Sequence, residues 1–229
     1  MNRGTARTTV KSIWLGETGS YWSDAQLNTV ISAANRRVYN LIVEHDPTYF
    51  QTVSSNATYP ANAENVDLSG AAFLNTRPQK LLAVEQLATN AVVSPGNQPT
   101  LCEPVHPSDI QRYYTSSEQT YTSVVSYRYA LLGDLLYFGP IPTAAVTFRV
   151  RYITPLADLA DDTTALLGGQ LVEWHELVTL IAAELALAKA REANDLLFKL
   201  RAETQAEMIG SLTGRQIQEP RYIRDTFDG

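Results

Sequence analysis

Gly133 and Asp134, inside "RYALLGDLLYFGPIP", constrain the fold of this chain more than any other pair of residues. Before them, Val125, Tyr127, Tyr129 and Leu131 alternate with Val124, Ser126, Arg128, Ala130 and Leu132, the period-two pattern of a strand. The Gly-Asp step then supplies a two-residue turn, because glycine takes the positive φ that a type II′ hairpin requires at its first central position. A register follows: Leu132 opposes Leu135, Leu131 opposes Leu136, Ala130 opposes Tyr137 and Tyr129 opposes Phe138. One face then carries Tyr129, Leu131, Leu136 and Phe138 and is expected in a core. Pro140 and Pro142 cannot donate to a ladder, so "GPIP" takes the chain off the hairpin. A further strand comes next, with Val146, Phe148, Val150 and Tyr152 inward and Thr147, Arg149 and Arg151 sharing the opposite, exposed face.

The rest of the chain reads as α+β. Ser23 and Gln26 form a capping-box signal ahead of a stripe from Leu27 to Ile42, which predicts a helix ending before Pro47. From Tyr49 to about Thr100, short apolar pieces such as "YFQTV", "ENVDL" and "KLLAVEQLA" alternate with Asn, Ser, Pro and Gly clusters, which predicts strands joined by loops, the first part of an antiparallel β-rich middle. "HPSDIQRYY" opens a short helix. Residues 169–209 carry the longest helical signal: Trp174, Leu177, Val178, Ile181, Leu185 and Ala188 form a stripe, and Asn194 marks a break. Ala182, Ala183, Ala186, Ala190 and Ala193 suit close packing against another helix or a neighbouring subunit. The expected organisation is one α+β domain over 1–210, with helical parts at 14–46 and 169–209 and a β-rich part at 49–155. An extended docking tail follows over 211–229, anchored on a partner by Arg215, Arg221, Tyr222 and Arg224.

Candidate chemistry is sparse. A phosphate loop needs closely spaced glycines leading into a helix, but Gly133 and Gly139 are each followed by strand, and "GSLTGRQ" lacks the lysine. In "WHELVT" the second histidine of a zinc protease motif is replaced by Thr179, so His175 and Glu176 read as the polar face of a helix. Cys102, Glu103, His106 and Asp109 combine a thiol with a base, yet Pro104 and Pro107 make the segment an extended loop. The single cysteine rules out an internal disulfide and leaves too few thiols for a structural zinc site. No catalytic residue, cofactor site or metal site is therefore expected. The net charge of -6 argues against a surface that grips nucleic acid throughout. Arg149 and Arg151 read as a solvated strand face, or as a contact to an acidic partner surface or a nucleic-acid backbone. The N-terminus lacks the apolar core of a secretory signal, and no run reaches the ~18 apolar residues of a membrane helix.

Four segments taken together, "WSDAQLNTVISAANRRVY", "YRYALLGDLLYFGPIP", "VRYITPLADLADDTTALL" and "LVEWHELVTLIAAELALAKA", resemble the head-to-tail adaptor proteins of tailed bacteriophages, also called head-tail connector or head completion proteins. The resemblance spans residues from about Trp14 to Leu200. It implies a helical bundle with a β-rich part, assembled as a homo-oligomeric ring, commonly of twelve copies, under the portal protein. Such a ring joins the DNA-filled head to tail or neck proteins, genomic DNA passes through its channel without specific binding, and family C-termini often reach onto the portal. The implied location is the virion, at the head-tail interface, after synthesis in the host bacterial cytoplasm. The strand-rich middle is larger than in simple all-helical adaptors. The competing expectation is a nucleic-acid-binding module or small enzyme with a site near the 102–109 loop and the 124–153 hairpin.

Overall fold

The computed structural model describes residues 1–16, 21–70, 74, 77–87, 99–114, 127–190 and 194–218, with backbone alone at 215–218. The chain divides into two compact units, Met1–Tyr49 with Leu156–Gly229, and Phe50–Pro155. The first is helical and the second is built of two sheets, antiparallel except for one short parallel pairing between residues 103–104 and 128–129, so the fold class is α+β.

The helical unit contains α1 (Arg3–Thr9) with a π turn (Val10–Trp14), α2 (Asp24–His45), α3 (His175–Ala190) and α4 (Asp195–Gln218). At the start of α2 the Ser23 amide donates to Gln26 Oε1 at 3.0 Å and the Gln26 amide donates to Ser23 Oγ at 3.3 Å, the reciprocal capping box. Leu27, Ile31, Ala34, Val38 and Ile42 are buried along one stripe, at i, i+3, i+4 spacing. Helix α1 carries no stripe in sequence: Ala6 within it and Val10 in the turn after it are buried. Asn2 caps it locally, and tertiary contacts hold it, with Arg3 and Arg7 reaching Asp162 at 3.0 and 2.7 Å.

In helix α3 the burial differs from the expected stripe: Leu177, Val178 and Ile181 are buried, but Leu185 is half-buried and Ala188 exposed. Ala182, Ala183 and Ala186 are as inaccessible as Leu177 and Val178 and pack inside this unit, whereas Ala190 is exposed and Ala193 lies outside the described residues. His175, expected on a polar face, is buried; its Nε2 meets the Gln170 carbonyl at 3.0 Å and its Nδ1 the Met1 amine at 2.7 Å. Two hydrogen bonds remove the cost of burying the ring. Shortly before α3, Leu167 and Leu171 take left-handed φ of 50° and 52°. Such a backbone costs roughly 1–2 kcal/mol per residue. It is stabilised in part by buried Asn35 of α2, whose Oδ1 accepts the Leu167 amide at 2.9 Å.

Asn194 is the break between α3 and α4, capping α4 by accepting the Leu197 amide at 3.1 Å. The extended tail expected from residue 211 needs correcting, because α4 continues through Gln218. Gly210 and Gly214 each weaken a helix by about 1 kcal/mol relative to alanine. Met208 and Leu212, four residues apart and fully buried, override them, and both glycines face open space.

The β unit holds β1 (Gln51–Val53), β2 (Ala57–Tyr59), β3 (Asn65–Asp67), β4 (Lys80–Gln86), β5 (Thr100–Leu101), β6 (Glu103–Pro104), β7 (Arg128–Leu132), β8 (Leu135–Gly139) and β9 (Val146–Ile153). Strands β7 and β8 pair in the register set by the Gly-Asp turn, from Leu132 opposite Leu135 to Tyr129 opposite Phe138. Gly133 has φ of 63° and Asp134 does not share the sign, as a type II′ turn requires. Gly139 is needed for another reason: a Cβ there would lie 2.6 Å from Cβ of Tyr113. After Gly139 and Pro140 the chain leaves this sheet altogether. Strand β9 enters a second sheet, ordered β1-β9-β4-β5 with β2 also on β9, while the hairpin belongs to β3-β8-β7-β6. The two inner faces share one core, where Phe138 lies 4.6 Å from Tyr59 and 5.6 Å from Phe148, centroid to centroid.

Because Phe138 packs against Tyr59 and Phe148 of the opposite sheet and is fully buried, Phe138→Ala is expected to lower the unfolding free energy by about 3–5 kcal/mol. Leu132→Ala, on the exposed end of the same hairpin, is expected to change it by less than about 0.5 kcal/mol. Urea unfolding of both variants checks the contrast.

Candidate functional site

Strand β9 alternates as its sequence demands, with Val146, Phe148, Val150 and Tyr152 buried and Thr147, Arg149 and Arg151 on the other face. Directly opposed residues of antiparallel strands share a face. Glu85 of β4 opposes Arg149, Ala83 of β4 and Val53 of β1 oppose Arg151, and Leu101 of β5 opposes Glu85. The outward face of this sheet is therefore a row of two arginines and one glutamate, flanked by Val53, 45% exposed, and Leu101, 63% exposed.

The arginines are less open than a solvated strand face would leave them. Arg149 donates through Nε to Glu85 Oε2, and Arg151 donates through Nε to Glu85 Oε1 at 2.6 Å. Glu85 is only 5% exposed, with the two guanidinium groups as its charge partners. Burial pushes its carboxyl pKa up, but the hydrogen bonds and charges of Arg149 and Arg151 outweigh burial and hold it below the ordinary value. One carboxylate thus fixes two guanidinium groups side by side, leaving a local charge of about +1. Sequence reasoning finds both arginines and misses Glu85, whose partners lie 64 and 66 residues away in the chain.

The other candidate residues do not converge. Cys102 lies between β5 and β6, its amide bonded to the Val84 carbonyl and its side chain in the core. Burial pushes its thiol pKa up to about 12, so it stays protonated and is no nucleophile at neutral pH. Glu103 pairs with Arg128 at 2.9 Å, His106 with the hydroxyl of Ser108 at 2.8 Å, and Asp109 with Arg112 at 3.4 Å. Each is occupied locally. Arg215 sits on α4 with its backbone alone described, and Arg221, Tyr222 and Arg224 lie outside the described residues. Among the described residues no helix is long and apolar enough to cross a membrane.

A sheet face of paired charges bordered by exposed apolar side chains is suited to contact with another macromolecule, and the comparison with known families agrees with that character. The family described as SU10 adaptor protein matches residues 4–225. The chain belongs to this family. It is a phage head-to-tail adaptor, a structural protein of the virion. A search of curated proteins found no match. The match takes in the β unit as well as the helices, so the strand-rich middle is part of what makes this chain an SU10 adaptor.

The Glu85 cluster should govern part of the acid sensitivity of the adaptor. With its folded-state pKa below the ordinary 4.5, Glu85 contributes stability above that pH, and the contribution is lost as pH falls through the folded value. Glu85→Gln is expected to cost about 1–3 kcal/mol at pH 7. The gap between wild type and variant should narrow below pH 4.5 in chemical unfolding curves measured across that range.

Proposed function

We propose that this adaptor assembles as a closed ring that joins the portal of the DNA-filled capsid to the tail, with the C-terminal segment as its portal-docking element. The family match over residues 4–225 carries this reading. Head-to-tail adaptors act between portal and tail proteins, and a ring is the shape that lets genomic DNA pass through while every copy makes the same contacts. Twelve copies is the expected number. The net charge of -6 suits a channel through which DNA moves without being held.

In this reading α4 presents the chain's last segment to the portal. Arg215, Arg221 and Arg224 supply bidentate donors for acidic groups, and Tyr222 supplies an aromatic anchor. The side chains up to Leu212 belong to the fold, while Arg215 and the residues after Gln218 supply the contact, with the segment after Gln218 as the required part.

Two truncations separate these roles. Removing residues 219–229 is expected to leave the melting temperature unchanged and abolish co-sedimentation with portal protein. Removing residues 211–229 also deletes buried Leu212 and should cost about 2 kcal/mol or more. Negative-stain images of wild-type chain mixed with portal are expected to hold closed rings stacked on the portal. Monomeric chain that leaves the portal bare, or full portal binding by the shorter truncation, would count against the reading.

A further inference from the structure

We propose that the outward face of the five-stranded sheet, Arg149 and Arg151 with Val53 and Leu101, docks on the start of α3 in a second copy of this chain, where Glu176 and Val172 are the complementary patch. This identifies the contact between copies and rests on the ring reading above.

Charge comes first. Two guanidinium groups share the single carboxylate of Glu85, so the face holds one positive charge that nothing else among the described residues neutralises. Nε of each arginine is committed to Glu85, which leaves the terminal nitrogens as donors for a second acceptor. Because Glu85 is buried and both its partners are held on the one neighbouring strand β9, the pair is fixed before any partner arrives. A nucleic-acid backbone carries a charge every few ångströms and calls for a basic stripe. One residual charge between two exposed apolar side chains instead fits a protein surface bearing one carboxylate beside an apolar contact.

The helical unit carries that surface. Val172, in the 3₁₀ turn Val172–Trp174, is 65% exposed. Glu176 lies one turn further on, where i and i+4 side chains adjoin, is exposed, and has no ion-pair partner among the described residues. The acidic Glu173 lies between them. Two different patches on one chain, each satisfied only by the next copy, make a heterologous contact, the kind that closes into rings.

The test uses full-length chain with portal protein of the same phage, and reads ring occupancy by mass photometry. Val53→Glu places a carboxylate opposite Arg151 and cancels the free charge while leaving Glu85 and both arginines in place. Glu176→Arg reverses the charge of the other patch at an exposed position. Each single variant is expected to shift the equilibrium roughly tenfold or more toward monomer with an unchanged melting temperature. The double variant, which pairs the new acid with the new base, is expected to regain rings. Rings that persist in either single variant, or a double variant that stays dissociated, overturn this contact while leaving the adaptor ring standing. Intact rings that lose DNA retention in Val53→Glu assign the face to nucleic acid and overturn it equally. Wild-type chain that forms no ring on portal overturns the ring reading and this contact together.

Discussion

One strand organises the five-stranded sheet. Strand β9 bonds to β1 and β2 along one edge and to β4 along the other, so four of the five strands meet on its ladder. Its side chains alternate with period two, and both halves of the alternation matter. The inner half, from Val146 to Tyr152, fills the core shared with the hairpin sheet. The outer half sets Arg149 and Arg151 two residues apart on one face, within reach of Glu85. A slip of one residue would bury the arginines and expose the core, so register and surface chemistry are determined together.

Much of this fold is legible in local sequence patterns. The Gly-Asp turn specifies the β7–β8 pairing residue by residue, because a two-residue turn leaves no freedom in the ladder. The capping box marks the start of α2, and Asn194 the start of α4. Local rules suffice wherever the deciding contact is local. They fail where it is distant: α1 is held by Asp162 far along the chain, and His175 is buried against Met1 and Gln170. At the end of α4, Gly210 and Gly214 point to a break, while the burial of Met208 and Leu212 that carries the helix past them leaves no local signature.

The candidate site divides the same way. Arg149 and Arg151 stand out by alternation alone, whereas Glu85, hidden in "KLLAVEQLA", looks like any polar residue of a strand. Its importance comes from pairing between β4 and β9, which no local pattern encodes. Cys102, a tempting residue in sequence, proves to be core at the point where the chain passes from one sheet to the other.

In this SU10 adaptor the two units carry unlike surfaces. The helical unit holds the exposed acidic patch at α3 and leads into the C-terminal segment, while the β unit holds the arginine face. A chain with unlike patches on separate units can contact a different neighbour through each and still offer its C-terminal segment to another protein. The most direct measurement is a cryo-electron microscopy reconstruction of the phage neck at side-chain resolution. The expected result is a ring beneath the portal in which Arg149 and Arg151 of each copy lie within ion-pair distance of Glu176 on the next. A ring whose arginine face meets solvent or DNA would contradict it.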